Sequence, residues 1–431
     1  MYVLIQTRRW LSMVLISMVV PLGAAQAETL LTLEQAEARA LQHNPALAAA
    51  GKQAEAMAAI PPQVGSLPDP VISMNAMNLP VDSFSLTQEN MTQMQLGVSQ
   101  AVPFPGKLGL KAEAARHMAD AARQNEQEFR LLLLRNVRIH WWNLAYLDKA
   151  LAIIHRNQEL LRNLVRVAET KYKTGKGLQQ DVLLAQLELS RLLEQEIRLS
   201  AEREREEAAL NALLGQDAGT SLHLPEQQAH GLDHVHIDVA MLKSQARSTR
   251  PMLLAMDERV QAAEAMVALA ETDYYPDFKV GGAYGFRQGV NPANGRSRPD
   301  FASLMLSMTI PLYSGSKQDR ALDQRHAEKA KAEFSWQDAI NQVDAEIDAA
   351  ASDFMLARDQ VVLFEKGIIP QARQTTASML AGYQVNKVDF LNLVRAQLSE
   401  FNTDIRYWQQ ITRAHQAQAR LAAAAGREMF E

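Results

Sequence analysis

From Pro105 to Tyr172 the chain offers 68 residues interrupted only by Gly106 and Gly109, both at the very start. As one helix rising 1.5 Å per residue this stretch would reach ~100 Å, well beyond the width of an ordinary globular domain. Its apolar positions Leu133, Val137, Trp141, Leu144, Leu151, Ile154, Leu161 and Val165 keep a three-to-four spacing. A seam of that length has to be buried by other rods. The run ends at Tyr172-Lys173-Thr174-Gly175-Lys176-Gly177, where the glycines permit a reversal, and a second helix returns over Leu178 to Leu214.

The chain then repeats this plan. Asn44-Pro45 and Arg250-Pro251 lie 206 positions apart, and Val102-Pro103 and Ile310-Pro311 lie 208 apart. Tyr172, Lys176 and Ala185-Gln186-Leu187 fall on Tyr383, Lys387 and Ala396-Gln397-Leu398 at a constant offset of 211. So long a period excludes a solenoid and reads as a duplicated half-molecule, residues 28–236 and 237–431, behind a leader at 1–27. Each half predicts a helix (Leu33 to Ile60, Val239 to Glu271), two strands, a long helix and a returning one. The strands fall near Val71 to Leu79, Thr92 to Val102, Phe278 to Arg287 and Phe301 to Leu312. The short helices of each half sum in length to about the long one, Pro105 to Tyr172 or Tyr313 to Tyr383, so two stacked rods should line each long rod.

The strands alternate. Phe278, Val280, Gly282, Tyr284 and Phe286 share one face, and so do Ala302, Leu304, Leu306, Met308, Ile310 and Leu312, while the intervening residues are small or polar. A sheet with one face on a soluble core gives this pattern; so does a barrel with its apolar face to lipid. Four strands are too few to close a barrel, so in the second case several copies share one.

Residues 1–27 carry Arg8-Arg9, the apolar run Trp10 to Val20 and Ala25-Gln26-Ala27, the three parts of a secretory signal. Without them the balance is 42 basic to 49 acidic residues, net −7, which argues against a nucleic-acid partner. The chain has no cysteine, which excludes disulfides and an acylated N-terminal cysteine as lipid anchor. No later apolar run is long enough for a membrane-spanning helix. Phosphate loops, nucleophile elbows and zinc-protease motifs are absent, and nothing supports an enzyme or a cofactor.

Leu33-Glu34-Gln35-Ala36 with Asn44-Pro45, the proline-marked strand exits, and two tips of the form Tyr-x-x-Gly/Asn-Lys followed by Ala-Gln-Leu resemble the TolC family of outer-membrane efflux channels over nearly the whole chain. The stretches Asn78 to Phe84 and Gln100 to Lys107 are most similar to its heavy-metal efflux branch. The resemblance implies a mainly α fold with a small β part. Three copies would pool four strands each into a twelve-stranded transmembrane barrel standing on a helical periplasmic tunnel. It implies a homotrimer in the outer membrane of a Gram-negative bacterium, joined through a periplasmic adaptor to a pump of the resistance-nodulation-division type and passing heavy-metal cations or drugs. Alternatives are the duct of a type I protein secretion system and, from another class, a soluble periplasmic adaptor or coiled-coil spacer.

The resemblance assigns adaptor docking to Tyr172, Gly175, Lys176, Tyr383, Asn386 and Lys387. Asn386 departs from the glycine common there, but asparagine tolerates left-handed backbone. A gate would lie beside the second tip, where Asn392 stands in place of the usual acid, with Asp389 and Arg395 one turn to either side. Asp389 reads either as a ring of charge at a narrow mouth or as a helix N-cap, and Asp181 in the first tip has the same two readings. His234 and His236, with His223, His230, Asp233 and Asp238, form a candidate metal cluster in the linker, against a solvated polar loop. Met74, Met77, Met91 and Met94 read as packing rather than copper ligands.

Overall fold

The computed structural model describes residues 30–227 and 237–429. Helix α1, Leu33–His43, opens with a capping box between Thr32 and Gln35. It stops at Asn44, whose side chain accepts from the Leu47 amide at 2.9 Å and so starts α2, Pro45–Ala58. The single helix expected over Leu33 to Ile60 is thus two, because Pro45 has no N–H to continue the first and disfavours helical geometry in the residue before it. The Pro61-Pro62 pair, expected to end the helix, instead sits in the first turn of a short α3, Ile60–Gly65, where its missing donors cost nothing.

Strand β1 spans Val71–Met77 and β2 Gln93–Val102, and α4 runs unbroken over Lys107–Lys173, 67 residues. Helix α5, Gln179–Leu213, returns along it. The second half has α6, Val239–Thr249, and α7, Pro251–Thr272, divided at Arg250-Pro251 as the first half is at Asn44-Pro45. Strands β3, Phe278–Phe286, and β4, Phe301–Met308, follow. The rod expected over Tyr313 to Tyr383 starts later and is not uniform. It comprises α8, Gln318–Leu363, a π turn over Phe364–Ile368, and α9, Ile369–Gln384. Pro370 accounts for the wider turn: its ring clashes with the carbonyl four residues back, and an extra residue in the turn relieves this. Helix α10, Phe390–Ala424, closes the chain.

The short rods do line the long ones. Helices α1 to α3 and α5 pack along α4, and α6, α7 and α10 along α8. Where α5 ends against the start of α1, Leu210, Leu214, Leu31, Ala36 and Ala40 bury Leu133, Val137, Trp141 and Leu144 of α4. The Trp141 indole donates to the Leu31 carbonyl at 3.1 Å. A like cluster in the second half joins Leu242, Ala246 and Leu253 to Val343, Ile347 and Leu421. At these two breaks Asn44 donates to the Leu213 carbonyl at 2.9 Å and Arg250 to the Ala423 carbonyl at 2.5 Å, so each ties down a helix end that would otherwise lack donors.

The four strands form one antiparallel sheet in the order β1-β2-β3-β4. Its register pairs Met74 with Leu96, Leu96 with Tyr284, Val98 with Gly282 and Val280 with Leu306. Directly paired residues share a face, so Ile72, Met74, Leu96, Val98, Val280, Tyr284, Leu304 and Leu306 form one continuous apolar surface. These side chains are exposed, Leu304 at 96%. The opposite face is mostly small and polar, with Ser73, Asn75, Gln95, Gly97, Ser99, Gly281, Ala283 and Ser303, and carries Val71, Met77, Phe301 and Met305 as its larger apolar residues. The sheet does not cover a core within the chain, which removes the soluble alternative for its alternation. Among the described residues no helix is long and apolar enough to cross a membrane.

Helices α4 and α10 are also joined by Trp142 and His415, whose rings stack at 3.8 Å and 4°. Burial holds the imidazole down to about 4 from 6.5, opposed by a hydrogen bond with Gln418. A base with a lowered folded pKa stays neutral in the fold while the unfolded chain takes up a proton. Its contribution is therefore complete above about pH 6.5 and lost as pH falls towards 4, by about 3 kcal/mol at most. His415→Phe should flatten the fall in melting temperature across that window; an unchanged slope would show that His415 protonates freely in the fold.

Candidate functional site at the helical tips

The two reversals, Thr174 to Leu178 and Val385 to Asp389, use the same backbone construction. In the first, the Lys176 amide bonds to the Lys171 carbonyl at 2.8 Å and Gly175 to Tyr172 at 3.0 Å. In the second, Lys387 bonds to Gly382 at 2.8 Å and Asn386 to Tyr383 at 3.2 Å. This double bond is the Schellman termination, which needs one left-handed residue. Gly175 supplies it at φ 69° and Asn386 at φ 60°, so asparagine carries the geometry that glycine carries 211 positions earlier.

Side chains at the crossing points are exchanged between the tips. A Cβ on Gly177 would come within 2.9 Å of the Lys171 Cβ, and one on Gly382 within 2.5 Å of Val388. Gly177 is the counterpart of Val388, and Lys171 of Gly382, so each tip pairs one side chain with one glycine, in opposite order. Lys171 is thereby free to cross between tips. Its ammonium donates to Asn386 Oδ1 at 2.9 Å and to the Tyr383 carbonyl at 3.2 Å, and lies 3.9 Å from the centre of the Tyr383 ring.

The matched tyrosines differ accordingly. Tyr172 is 49% exposed, whereas Tyr383 is 7% exposed and packs on Phe390. Burial and then the charge of Asp181 push the Tyr383 hydroxyl up, which sets Asp181 of the first tip beside the second. Asp181 also accepts from the Leu178 amide at 3.4 Å, a capping contact. Asp389 occupies the N-cap position of α10, and its carbonyl accepts from Asn392 at 3.1 Å, but its carboxylate makes no capping bond. Asp389, Asn392, Arg395, Lys176 and Lys387 are all exposed. Nothing local to the first tip points to the Lys171 link beyond the lysine-for-glycine difference between the halves.

The candidate metal residues His234 and His236 lie outside the described residues, and among the described ones no group of three or more potential ligands is gathered.

A helical shaft with paired tips, carrying a small two-faced sheet at the other end, is the architecture of an outer-membrane duct. The family model for outer membrane efflux proteins matches residues 36–216 and 242–427, and the chain belongs to that family. Its members are ducts, not enzymes. The cobalt-zinc-cadmium resistance protein CzcC of Cupriavidus metallidurans is 20% identical over 412 residues, 95% of this chain and 93% of CzcC. The outer-membrane channel OprN superposes with a TM-score of 0.78 at 19% identity, over 91% of this chain and 89% of OprN. CusC superposes at 0.76 with 18% identity, over 92% of each chain.

Proposed function

We propose that three copies close their sheets into one twelve-stranded barrel, and that the trimer conducts heavy-metal cations out of the periplasm. In this reading it is the outer-membrane member of a three-part efflux system, with a periplasmic adaptor at its tips and a resistance-nodulation-division pump behind the adaptor. The observation that carries it is the sheet: four strands, two open edges, one exposed apolar face and one small polar face. Only lipid suits the first face and only water the second, and closure removes both edges. Aromatic residues flank the apolar band, Tyr284 and Phe286 at one end and Phe104 and Tyr275 at the other, as interfacial girdles do. The similarity to CzcC supports metal cations over drugs.

Deleting the gene should raise sensitivity to cobalt, zinc or cadmium ions and leave protein secretion unchanged. Loss of a secreted protein with unchanged metal tolerance would overturn the assignment. The tips take the docking role through Tyr172, Gly175, Lys176, Asn386 and Lys387, with Tyr383 buried behind them as support, and Asp181, Asp389, Asn392 and Arg395 line the gate. Asp389 has no capping bond to lose, so Asp389→Ala should reduce cation selectivity in planar bilayers without loss of stability. Unchanged conductance and selectivity would leave Asp389 as a helix opener only.

A further inference from the structure

The internal repeat and the open sheet edges together specify how one copy meets the next. Inside the chain, β2 leaves the sheet towards α4 beside the start of β3. At that junction Lys107, 5% exposed, lies 3.0 Å from Asp273 and 3.1 Å from Asp277. The Phe104 amide donates to Asp277 at 2.8 Å, and the Phe104 ring stacks on Tyr275 at 4.5 Å.

The same parts recur at the two outer edges. Pro68-Asp69 precedes β1 as Pro276-Asp277 precedes β3, 208 positions earlier, and Lys317 follows Pro311 after β4 as Lys107 follows Pro103 after β2, with two more residues between. Edges β1 and β4 lie at opposite sides of the sheet, so Asp69 and Lys317 cannot meet within one copy. Both are exposed, and neither forms an ion pair among the described residues. Lys317 shares a cleft with Asp273 and Asp277, but Lys107 already holds both, and Asp319 accepts from the Tyr274 hydroxyl at 2.6 Å. The counterparts of Tyr275 and Phe104 are Leu67 and Leu312, likewise uncovered at 55% and 77% exposure.

We propose that Lys317 of one copy pairs with Asp69 of the next, closing the seam between β4 and the neighbouring β1 as Lys107 and Asp277 close the seam between β2 and β3. The inference rests on the trimeric reading above. Carrying the β2–β3 register over by 208 positions sets Leu304, Leu306 and Met308 opposite Ala76, Met74 and Ile72 of the next copy. All six belong to the apolar face, and Ser307 meets Ser73 on the polar one. A slip of one residue would invert every such match, so the pair fixes register at the point where the strands leave the membrane. Leu312 then covers Leu67 beside it.

The natural chain lacks cysteine, so Asp69→Cys/Lys317→Cys carries only the introduced thiols. A short bis-maleimide applied to the purified protein in detergent should convert the single-chain band on a denaturing gel into a three-chain band, and neither single variant should change. A three-chain particle by native mass with no cross-link overturns the pairing alone, whereas a one-chain particle overturns the trimeric reading with it. As a second measurement, Asp69→Lys and Lys317→Asp should each lower the temperature at which the oligomer dissociates in SDS, and the double reversal should restore it. Failure of the double variant to recover while both singles are impaired also counts against the pair.

Discussion

Replacing Arg250 by methionine is expected to destabilise the folded chain by about 3–5 kcal/mol, the cost of stranding a buried charge. The guanidinium is 3% exposed and grips Glu128 of α4 through Nε at 2.9 and 3.1 Å and Nη2 at 2.7 Å. Glu128 also accepts from the Met252 amide at 3.2 Å, so one carboxylate fixes the start of α7, and the same arginine holds the end of α10 through Ala423. The variant leaves the Met252 amide as the hydrogen-bond donor to Glu128, with Arg135 the remaining positive charge near it. Urea denaturation of the detergent-purified protein should show the loss, and Glu128→Leu added to Arg250→Met should recover much of it, since the double replacement leaves no buried charge of the pair unmatched and the other partner of Arg250, Glu346 at 3.6 Å, is exposed to water. A shift below about 0.5 kcal/mol, the scale of ordinary surface substitutions, would mean that water reaches the site.

The second large effect is expected on the sheet. Leu304, paired with Gly282 near mid-strand, is the most exposed of its apolar face. An arginine on a lipid-facing barrel position costs about 2–4 kcal/mol at the bilayer midplane, and a trimer carries that cost three times. Leu304→Arg should therefore abolish recovery of the oligomer from outer-membrane fractions. Its sequence neighbour Ser303 points the other way, paired with Ala283. Ser303→Arg should assemble normally and alter ion selectivity instead. If both variants assemble alike, the face assigned to lipid is wrong.

Much of the fold was legible because punctuation and period carry it. Pro103-Phe104-Pro105-Gly106 and the glycine-marked tips delimit α4, and the alternation of β3 and β4 fixes which residues share a face. Alternation predicts a last strand to Leu312, whereas β4 ends at Met308, because the alternation continues into the loop where pairing has ceased. The breaks at Asn44-Pro45 and Arg250-Pro251 are visible as repeated dipeptides, yet the sequence predicts one helix through each, since nothing local reveals that two helices abut there. The links between distant helices are the least legible. Arg250 and Glu128 lie 122 positions apart, and Lys171 and Asn386 lie 215 apart. A lysine in an amphipathic helix looks solvated until the opposite rod is known to end beside it. Asp389 is a converse case: it occupies a capping position, yet its carboxylate is left uncommitted.

The π turn at Phe364–Ile368 makes the two long rods unlike. An additional residue in one turn advances the helix face by roughly 100°, so the surface that α9 offers its hairpin partner is set independently of the surface α8 offers above. The first rod, continuous through α4, keeps one helical register along its whole length. The second is interrupted part-way down, so the face its tip presents is offset from the face α8 presents nearer the sheet.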